Sequence, residues 1–521
     1  MALSLRATVV VGAAVVAAFL AALLATDDAP IQPGQPGQPG AGVEGRVVPG
    51  HPYALEDTYD RGAYQQRGRW IASGGTPYVD EFSEYPQLST WLMALPYLFF
   101  EHDVERGEPF GSIHAARAAL VDGGVSAEDA AKLVPIPQPG VRAPTRQVML
   151  RQLAAFPDLD WKRFGAAMEA ADQAEARRKD EIRRNGKAYG DVHHVLMALW
   201  FVALIALAAA NLRKLGHAPA WALLLLLPGS LFYGFNRFDL VVTTAIAGAL
   251  FLQIRERPRA AAFVLGIAIM VKWSPIVILP LFLSQNVRRL RASDVAWPRA
   301  LLRGAVVPGA LAGAVIVALL AVTFVWGGGG MDAVTAVFEW HANVRKPNHS
   351  SFLSILTNPR DPGAPAGVFA PQGWGLFDRD KRDALEGLFK PLQLAPGFLL
   401  ALLPIRSNRA LILGALSATL FAIVFHEFFS PQWVLWLTAL GLYLAPRFKV
   451  VLALVVALEL VMYTQLPWLW YRMQESGDPG GFWTVTTIRM ALMLAFLAVA
   501  TGLFLREVLR RTGDHEAAPA A

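Results

Sequence analysis

The sequence contains no cysteine among its 521 residues. Disulfide bonds, thiol catalysis and cysteine metal ligands are therefore excluded, and any segment outside a membrane must fold by packing alone. Charged residues are also scarce, since they make up 17% of the chain against 54% for hydrophobic residues. Because a soluble globular domain carries about 25% charged residues, this composition disfavours a soluble protein.

The hydrophobic residues are gathered in long apolar runs. About 20 apolar residues of helix cross a bilayer, and runs of that length occur at 7–26, 301–326, 448–467 and 484–505. The net charge of +6 does not indicate a nucleic-acid-binding face, because the basic residues stand in short clusters between apolar runs. That pattern is typical of the cytoplasmic loops of a multi-pass membrane protein.

The basic clusters set the predicted orientation, since Lys and Arg collect in cytoplasmic loops. Placing every cluster inside predicts an all-α polytopic protein of about twelve transmembrane helices with both chain ends in the cytoplasm. The predicted spans are 7–26, 191–210, 219–235, 239–254, 260–272, 275–285, 301–326, 393–405, 410–426, 432–445, 448–467 and 484–505.

Three of these assignments had alternatives. Residues 260–285 could form one tilted helix, but a hairpin at Trp273 keeps both basic flanks inside. The run 86–100 is short, and a span there would invert the later loops, so we expect an interfacial helix on the outer face. The run 7–26 could be a signal peptide, because small residues end it near Ala25, but its length and the many later spans favour an uncleaved anchor.

This topology divides the chain into membrane-spanning and extracytoplasmic parts. Two long outer segments are predicted, and the first contains a helical insertion, indicated by a capping box at Ser126 and by Asp160 before a run rich in Ala, Glu, Arg and Lys. The predicted parts are an anchor at 1–26, a Pro/Gly-rich linker at 27–50, a motif-bearing loop at 51–100, the insertion at 101–190, transmembrane helices at 191–326, a second outer loop at 327–392, transmembrane helices at 393–506 and a cytoplasmic tail at 507–521.

Acidic residues of the first outer loop are candidates for acid–base chemistry. Asp57 and Asp60 stand in the sequence Asp-Thr-Tyr-Asp-Arg-Gly-Ala-Tyr. A carboxylate held above the membrane beside aromatic residues could accept a proton from a sugar hydroxyl. A solvated loop acid is the alternative interpretation.

Two further charged residues fall at predicted span ends. Asp239 closes the sequence Asn-Arg-Phe-Asp, where it would face the same aqueous pocket as Asp60 or would simply cap a helix. Lys272 lies in an apolar run before Trp273. Charges within a membrane are costly and are functional by default, although snorkelling to the interface would also explain this lysine.

The second outer loop begins with a dense cluster of phosphate-binding residue types. Arg binds a phosphate bidentately, Lys and His add positive charge, and Ser hydroxyls donate hydrogen bonds. A basic loop that binds anionic headgroups is the alternative. The cluster consists of His341, Arg345, Lys346, His349, Ser350 and Ser351.

The order of these motifs resembles a known family. Along the chain stand Asp60-x-x-x-Tyr64, Tyr85-Pro-x-Leu88, Asn236-Arg-Phe-Asp239, Lys272-x-x-Pro275, Trp340-His-x-x-x-Arg345 and Ser430-Pro-Gln-aromatic-x-x-Trp436. This set is similar to the polyprenyl-phosphate-sugar-dependent glycosyltransferases of the GT-C fold, most of all to glycosyltransferase family 87, over most of residues 50–445. Two departures are the long insertion at 101–190 and Gln87, where the family usually has a second proline.

The resemblance implies a GT-C-like bundle and an inverting, single-displacement transfer. Asp60 would be the general base, with Asp57 as the fallback, and Asp239 would orient the acceptor or help to hold a divalent cation. Family analogy favours mannose as the sugar, a lipid or glycan of a bacterial envelope as the acceptor, and the plasma membrane as the location. The leaving polyprenyl phosphate would be bound by Arg345, Lys346, His341, His349, Ser350 and Lys272.

Two other functions fit the same sequence. A lipid-linked sugar transporter or flippase would suit about twelve spans, but transporters usually contain internal repeats, and none relates the two halves of this chain. A catalytically inactive assembly partner would have the same topology.

Overall fold

A computed structural model gives the fold of the chain. Within the ranges that it describes, every regular element is a helix and no strand occurs, which confirms the all-α prediction. The predicted linker at 27–50 lies outside the described residues. The structure describes residues 3–25, 55, 57–75, 85–102, 104, 111–133, 160–327, 335, 351–357, 382–470, 472 and 480–509.

The helices overlap the predicted spans, although several of their bounds differ. In chain order they are α1 (Leu5–Leu24), α2 (Thr58–Ala72), α3 (Gln87–Ala94), α4 (Gly111–Asp122), α5 (Ala127–Leu133), α6 (Trp161–Lys214), α7 (Pro228–Asn236), α8 (Asp239–Ile254), α9 (Pro258–Val271), α10 (Leu279–Ala292), α11 (Trp297–Leu301), α12 (Val307–Gly327), α13 (Phe352–Leu356), α14 (Arg382–Ala401), α15 (Asn408–Val424), α16 (Val434–Gly441), α17 (Lys449–Tyr463) and α18 (Gly480–Leu509). Short 3-10 or π segments extend several of them, at Leu95–Leu98, Pro219–Leu226, Ser274–Ile278, Leu302–Val306, Pro431–Trp433 and Thr464–Leu469.

Several of these helices are long and apolar enough to cross a bilayer. Two more, α7 and α8, qualify together as a pair bent by 108°, and α9 and α15 are shorter apolar helices. This character is compatible with a multi-pass membrane protein, as predicted. The long candidates in the described ranges are Leu5–Leu24, Asp180–Lys214, Trp297–Val322, Lys449–Leu469 and Gly481–Leu509.

Helix α7 lies between two backbone breaks. It begins at Pro228 because a proline disfavours helical backbone in the residue before it, and Leu227 is extended. It ends at Asn236, since Arg237 is again extended, and α8 then starts in a new direction. The Asn-Arg-Phe-Asp sequence therefore occupies the sharp turn between two helices, where its side chains are free to face neighbouring segments.

Helices α9 and α10 form the hairpin that the sequence favoured over one tilted helix. Lys272 leaves α9 with extended backbone and its ammonium contacts Asp239 at the start of α8. Further along α10, Gln285 and Asn286 accept hydrogen bonds of 2.9 and 2.7 Å from Gln253 at the far end of α8. The two helices thus run in opposite directions along α8.

The bundle has two chemically different ends. At one, which we call the basic end, Arg289 donates to the carbonyl of Gln253 at 3.0 Å, and Arg409 pairs with Glu507 at 3.5 Å. At the other, which we call the motif end, Asp239 and Lys272 meet. The separation agrees with the orientation predicted from the basic clusters.

Helix α6 joins the insertion to the membrane part of the chain. It is one continuous helix of 54 residues, so the predicted boundary between 190 and 191 falls inside a helix and no break of the backbone occurs there. Both predicted caps are present: Asp160 accepts from the backbone N–H of Arg163 at 3.0 Å, and Ser126 from that of Asp129 at 3.1 Å. Residues 134–159 of the insertion lie outside the described part.

The first-loop helices α2 and α3 touch through a glycine. A Cβ at Gly68 would overlap the carbonyl of Met93 on α3, whereas one at Gly62 on the same helix would meet nothing within 4 Å. The absence of a side chain at position 68 therefore allows α3 to pack directly on α2.

We expect Gly68→Ala to destabilise the protein by about 1–3 kcal/mol, because an added methyl group in a closed contact forces the backbones apart. Gly62→Ala is the matched control, and it should be neutral or stabilise by up to about 1 kcal/mol through helix propensity. Thermal unfolding of both purified variants measures the difference. Equal melting temperatures for the two would contradict the packing described.

Candidate active site at the motif end

Asp57 and Asn236 bring the first loop onto the turn between α7 and α8. The Asp57 carboxylate caps α2 by accepting from the backbone N–H of Asp60 at 3.3 Å. The Asp57 backbone N–H donates in turn to the side-chain oxygen of Asn236 at 2.8 Å, and the Asn236 amide donates to the Leu55 carbonyl at 2.9 Å. These bonds fix the backbone on which both first-loop acids stand.

Arg237 lies between the two first-loop carboxylates. Its guanidinium forms ion pairs with Asp57 and with Asp60. The side chains of Arg237 and Asp57 are 6% and 2% exposed, whereas that of Asp60 is 19% exposed. Asp60 is thus the acid of this pair that keeps a surface for a ligand.

Asp239 and Lys272 form the second half of the site. The Lys272 ammonium lies 2.7 Å from the Asp239 carboxylate. It also lies 5.6 and 5.2 Å from the ring centres of Trp433 and Trp436, close enough for cation–π attraction. The two tryptophan rings stack on each other with centroids 5.8 Å apart, so Trp433 and Trp436 together form an aromatic wall beside the lysine.

The site holds charges of both signs. Asp57, Asp60 and Asp239 lie beside the cationic side chains of Arg237 and Lys272. In the described ranges no group of three or more His, Asp or Glu side chains could hold a metal ion. Asp239, which was predicted to orient the acceptor or to help hold a divalent cation, pairs with the Lys272 ammonium.

Tyr64 packs beside the site from α2. The centroid of its ring lies 4.8 Å from that of the Phe238 ring and 6.3 Å from that of the Tyr85 ring. Burial, reinforced by the nearby Tyr85 and the site carboxylates, raises the pKa of the Tyr64 hydroxyl well above its usual value. The phenol therefore stays neutral and supports the position of the Asn-Arg-Phe-Asp turn.

The second outer loop reaches the motif end through α13. Ser351 is buried and caps this helix, accepting from the Ser354 N–H at 3.2 Å. Phe352 packs 6.2 Å from Phe425, and the next residue, His426, contacts the Trp433 ring at 5.2 Å. Ser351 is therefore held near the aromatic wall beside Lys272.

The rest of the predicted phosphate cluster cannot be placed in this site. Its members His341, Arg345, Lys346, His349 and Ser350 lie outside the described residues. Only Ser351, the next residue in the chain, has a described position.

The fold brings together four residues that the sequence singled out. Asp57, Asp60, Asp239 and Lys272 lie in one site, although more than 200 positions separate the first from the last. Arg237 belongs to the predicted Asn-Arg-Phe-Asp motif, but no role was predicted for it. The signal was present, because an arginine at the predicted outer end of a span departs from the usual distribution of basic residues.

Comparison with known protein families, curated proteins and solved structures finds no match for this chain.

Proposed function

We propose that this chain is a membrane glycosyltransferase of the GT-C type. It transfers a sugar, mannose by family analogy, from a polyprenyl-phosphate donor to a lipid or glycan acceptor of the cell envelope. The reaction takes place on the extracytoplasmic face of a bacterial plasma membrane, and the helical segments at the predicted spans make twelve crossings with the motif end outside.

The meeting of separate motifs at one end of the bundle carries this proposal. Arg237 joins the turn between α7 and α8 to the first-loop acids, and Lys272 joins Asp239 to Trp433. The same motifs, in the same chain order, make up the resemblance to glycosyltransferase family 87. A structural role alone does not require so many charged groups beside one another at a helix turn, because burying charge is expensive.

Asp60 is the general base in this mechanism. Its carboxylate accepts the proton of the acceptor hydroxyl as that oxygen forms a bond to the anomeric carbon of the sugar. The bond from the anomeric carbon to the phosphate oxygen breaks, its electron pair leaves with the polyprenyl phosphate, and the configuration inverts. The exposure of Asp60 supports this assignment over Asp57, whose carboxylate caps α2 and is almost fully buried.

Lys272 contributes positive charge on the donor side. Trp433 and Trp436 flank its ammonium, and their indole N–H groups are buried without a hydrogen-bond partner among the described residues. Buried donors of this kind are usually satisfied by a partner, and phosphate oxygens are suitable acceptors. Lys272 would act together with Arg345, Lys346, His341, His349 and Ser350.

Purified protein in lipid nanodiscs tests the proposal directly. Polyprenyl-phosphate mannose with a labelled sugar is incubated with simple hydrophobic acceptors, and the product is isolated and its anomeric configuration determined. We expect transfer with inversion relative to the donor. Movement of intact labelled donor across vesicles without any glycosylated product would identify a transporter, and inactivity in both assays across several sugars would favour an assembly partner.

Arg345→Ala should weaken both donor binding and turnover. The guanidinium would contact a phosphate that is charged in the bound donor and gains charge as it leaves, so binding and the transition state both lose a partner. Binding of a non-hydrolysable donor analogue and single-turnover rates measure the two effects. Arg345→Lys is the matched control and should retain part of both, whereas wild-type donor affinity in Arg345→Ala would exclude a phosphate contact.

A further inference from the structure

The polar face of α2 docks on α6, the helix that extends out of the insertion. Arg61, Gln65 and Arg69 follow one another at intervals of four residues, so they lie on one face of α2. All three are buried, with exposed fractions of 6%, 3% and 2%. A buried face made of polar side chains is unusual for a helix, because apolar residues normally cover such a contact.

Each of the three side chains meets α6 at a defined place. The Arg69 guanidinium forms an ion pair with Glu181, in which both side chains are at most 5% exposed. The Gln65 amide donates to the carbonyl of Ile182 at 2.7 Å. Arg61 lies against Gly190, where an added Cβ would come within 2.8 Å of its guanidinium. The contact therefore consists of two directional bonds and one close approach along about two turns of α2.

This contact and the Asn236–Arg237 turn hold the same short helix from two sides. The turn binds the start of α2 at Asp57 and Asp60, whereas α6 binds the face that runs from Arg61 to Arg69. Apolar packing tolerates small shifts of one helix along another, but hydrogen-bonded pairs weaken steeply when donor and acceptor leave their favoured distance and angle. The bonds to α6 thus restrict movement of α2 along α6, in addition to the packing of α2 on α3.

We propose that the outer part of α6 is a positioning element of the active site, and that Glu181 is its positioning residue. Through Arg69, Glu181 holds α2 in the register that places Asp60 against the acceptor. Residues 161–190 of α6, which belong to the predicted insertion, are on this view a working part of the site. The expected effect on turnover rests on the transferase function proposed above. The structural coupling of α6 to α2 does not, because it can be measured without any activity.

Neighbouring residues on α6 provide a matched pair of substitutions. Glu181 is buried against α2, whereas Asp180 is 58% exposed and contacts Arg183 of its own helix at 3.4 Å. We expect Glu181→Met to lower turnover by about 10²-fold, the cost of misplacing a catalytic group by about 1 Å. Asp180→Asn changes the charge equally one position away and should leave turnover unchanged.

A double variant separates positioning from stability. In Arg69→Met/Glu181→Met both buried charges are gone, and replacing a buried ion pair by apolar residues is often neutral or stabilising. Its melting temperature should therefore return to that of the wild type, while its turnover stays at least about tenfold below it, a loss within the range that misplaced catalytic groups produce. Recovery of both quantities in the double variant would show that the ion pair serves stability alone and would overturn the proposal.

A distance measurement tests the coupling independently of transfer. Because the chain has no cysteine, Gly62→Cys on α2 and Gly502→Cys on α18 can be spin-labelled selectively, and neither glycine has an atom within 4 Å of an added Cβ. We expect a narrow distance distribution in this background and in Asp180→Asn, and a broader or shifted one in Glu181→Met. An unchanged distribution in Glu181→Met overturns the proposal. If the distance distributions are as expected but neither the wild type nor any variant transfers sugar, the transferase function fails and the coupling of α6 to α2 stands.

Discussion

Asp60→Asn should reduce turnover by about 10²–10⁴-fold, the usual contribution of a general base. Asparagine matches the carboxylate in shape but cannot accept the acceptor proton, so the site keeps its form and loses its base. Protein yield and donor binding should stay near wild type, and the melting temperature should fall only modestly because the Asp60 carboxylate also pairs with Arg237. Single-turnover transfer with saturating donor measures the loss.

Asp57→Asn is the control for this experiment. Asparagine is also a good helix cap, so the start of α2 should persist, although the ion pair with Arg237 is weakened. We expect a lower melting temperature and a smaller loss of turnover than for Asp60→Asn. If Asp57→Asn abolishes transfer while Asp60→Asn retains it, the base is Asp57. If neither substitution matters, the proposed acid–base mechanism is wrong.

Arg237→Met should be among the most damaging substitutions in the chain. Arg237 is buried between Asp57 and Asp60, and removing it leaves two carboxylates facing each other without the guanidinium. Breaking a buried ion pair by removing one partner costs about 3–5 kcal/mol, so we expect a clearly lower melting temperature together with loss of transfer.

Arg237→Lys and a compensating double variant show why Arg237→Met loses stability and transfer. Lysine keeps the charge but lacks the planar fork that can bind two carboxylates at once, so it should restore stability in part and turnover less. Asp57→Asn/Arg237→Met removes one charge of each sign and should recover melting temperature relative to Arg237→Met. A wild-type melting temperature in Arg237→Met alone would mean that the guanidinium does not bridge the two acids in solution.

The hairpin of α9 and α10 at Lys272 could be predicted from the sequence pattern. Two short apolar runs with basic flanks were enough to predict two antiparallel helices, since a membrane-embedded backbone must satisfy its hydrogen bonds within helices. The same reasoning placed the Asn-Arg-Phe-Asp sequence at the non-cytoplasmic end of a span. It failed to show that α6 runs without interruption from 161 to 214, because the loss of hydrophobicity near residue 190 marks a change of surroundings and not an end of the helix.

Sequence alone determined the all-helical class and the positions of the apolar helices, as well as the acids and the lysine that share the motif end. These features depend on local composition and periodicity, which the chain displays along its length. Only the tertiary structure decided which partners those residues take. Arg237 lies between Asp57 and Asp60, Lys272 pairs with Asp239, and Glu181 fixes α2 through Arg69. Each pair joins segments far apart in the chain, and no single segment carries a signal for a partner that is chosen by the packing of the whole bundle.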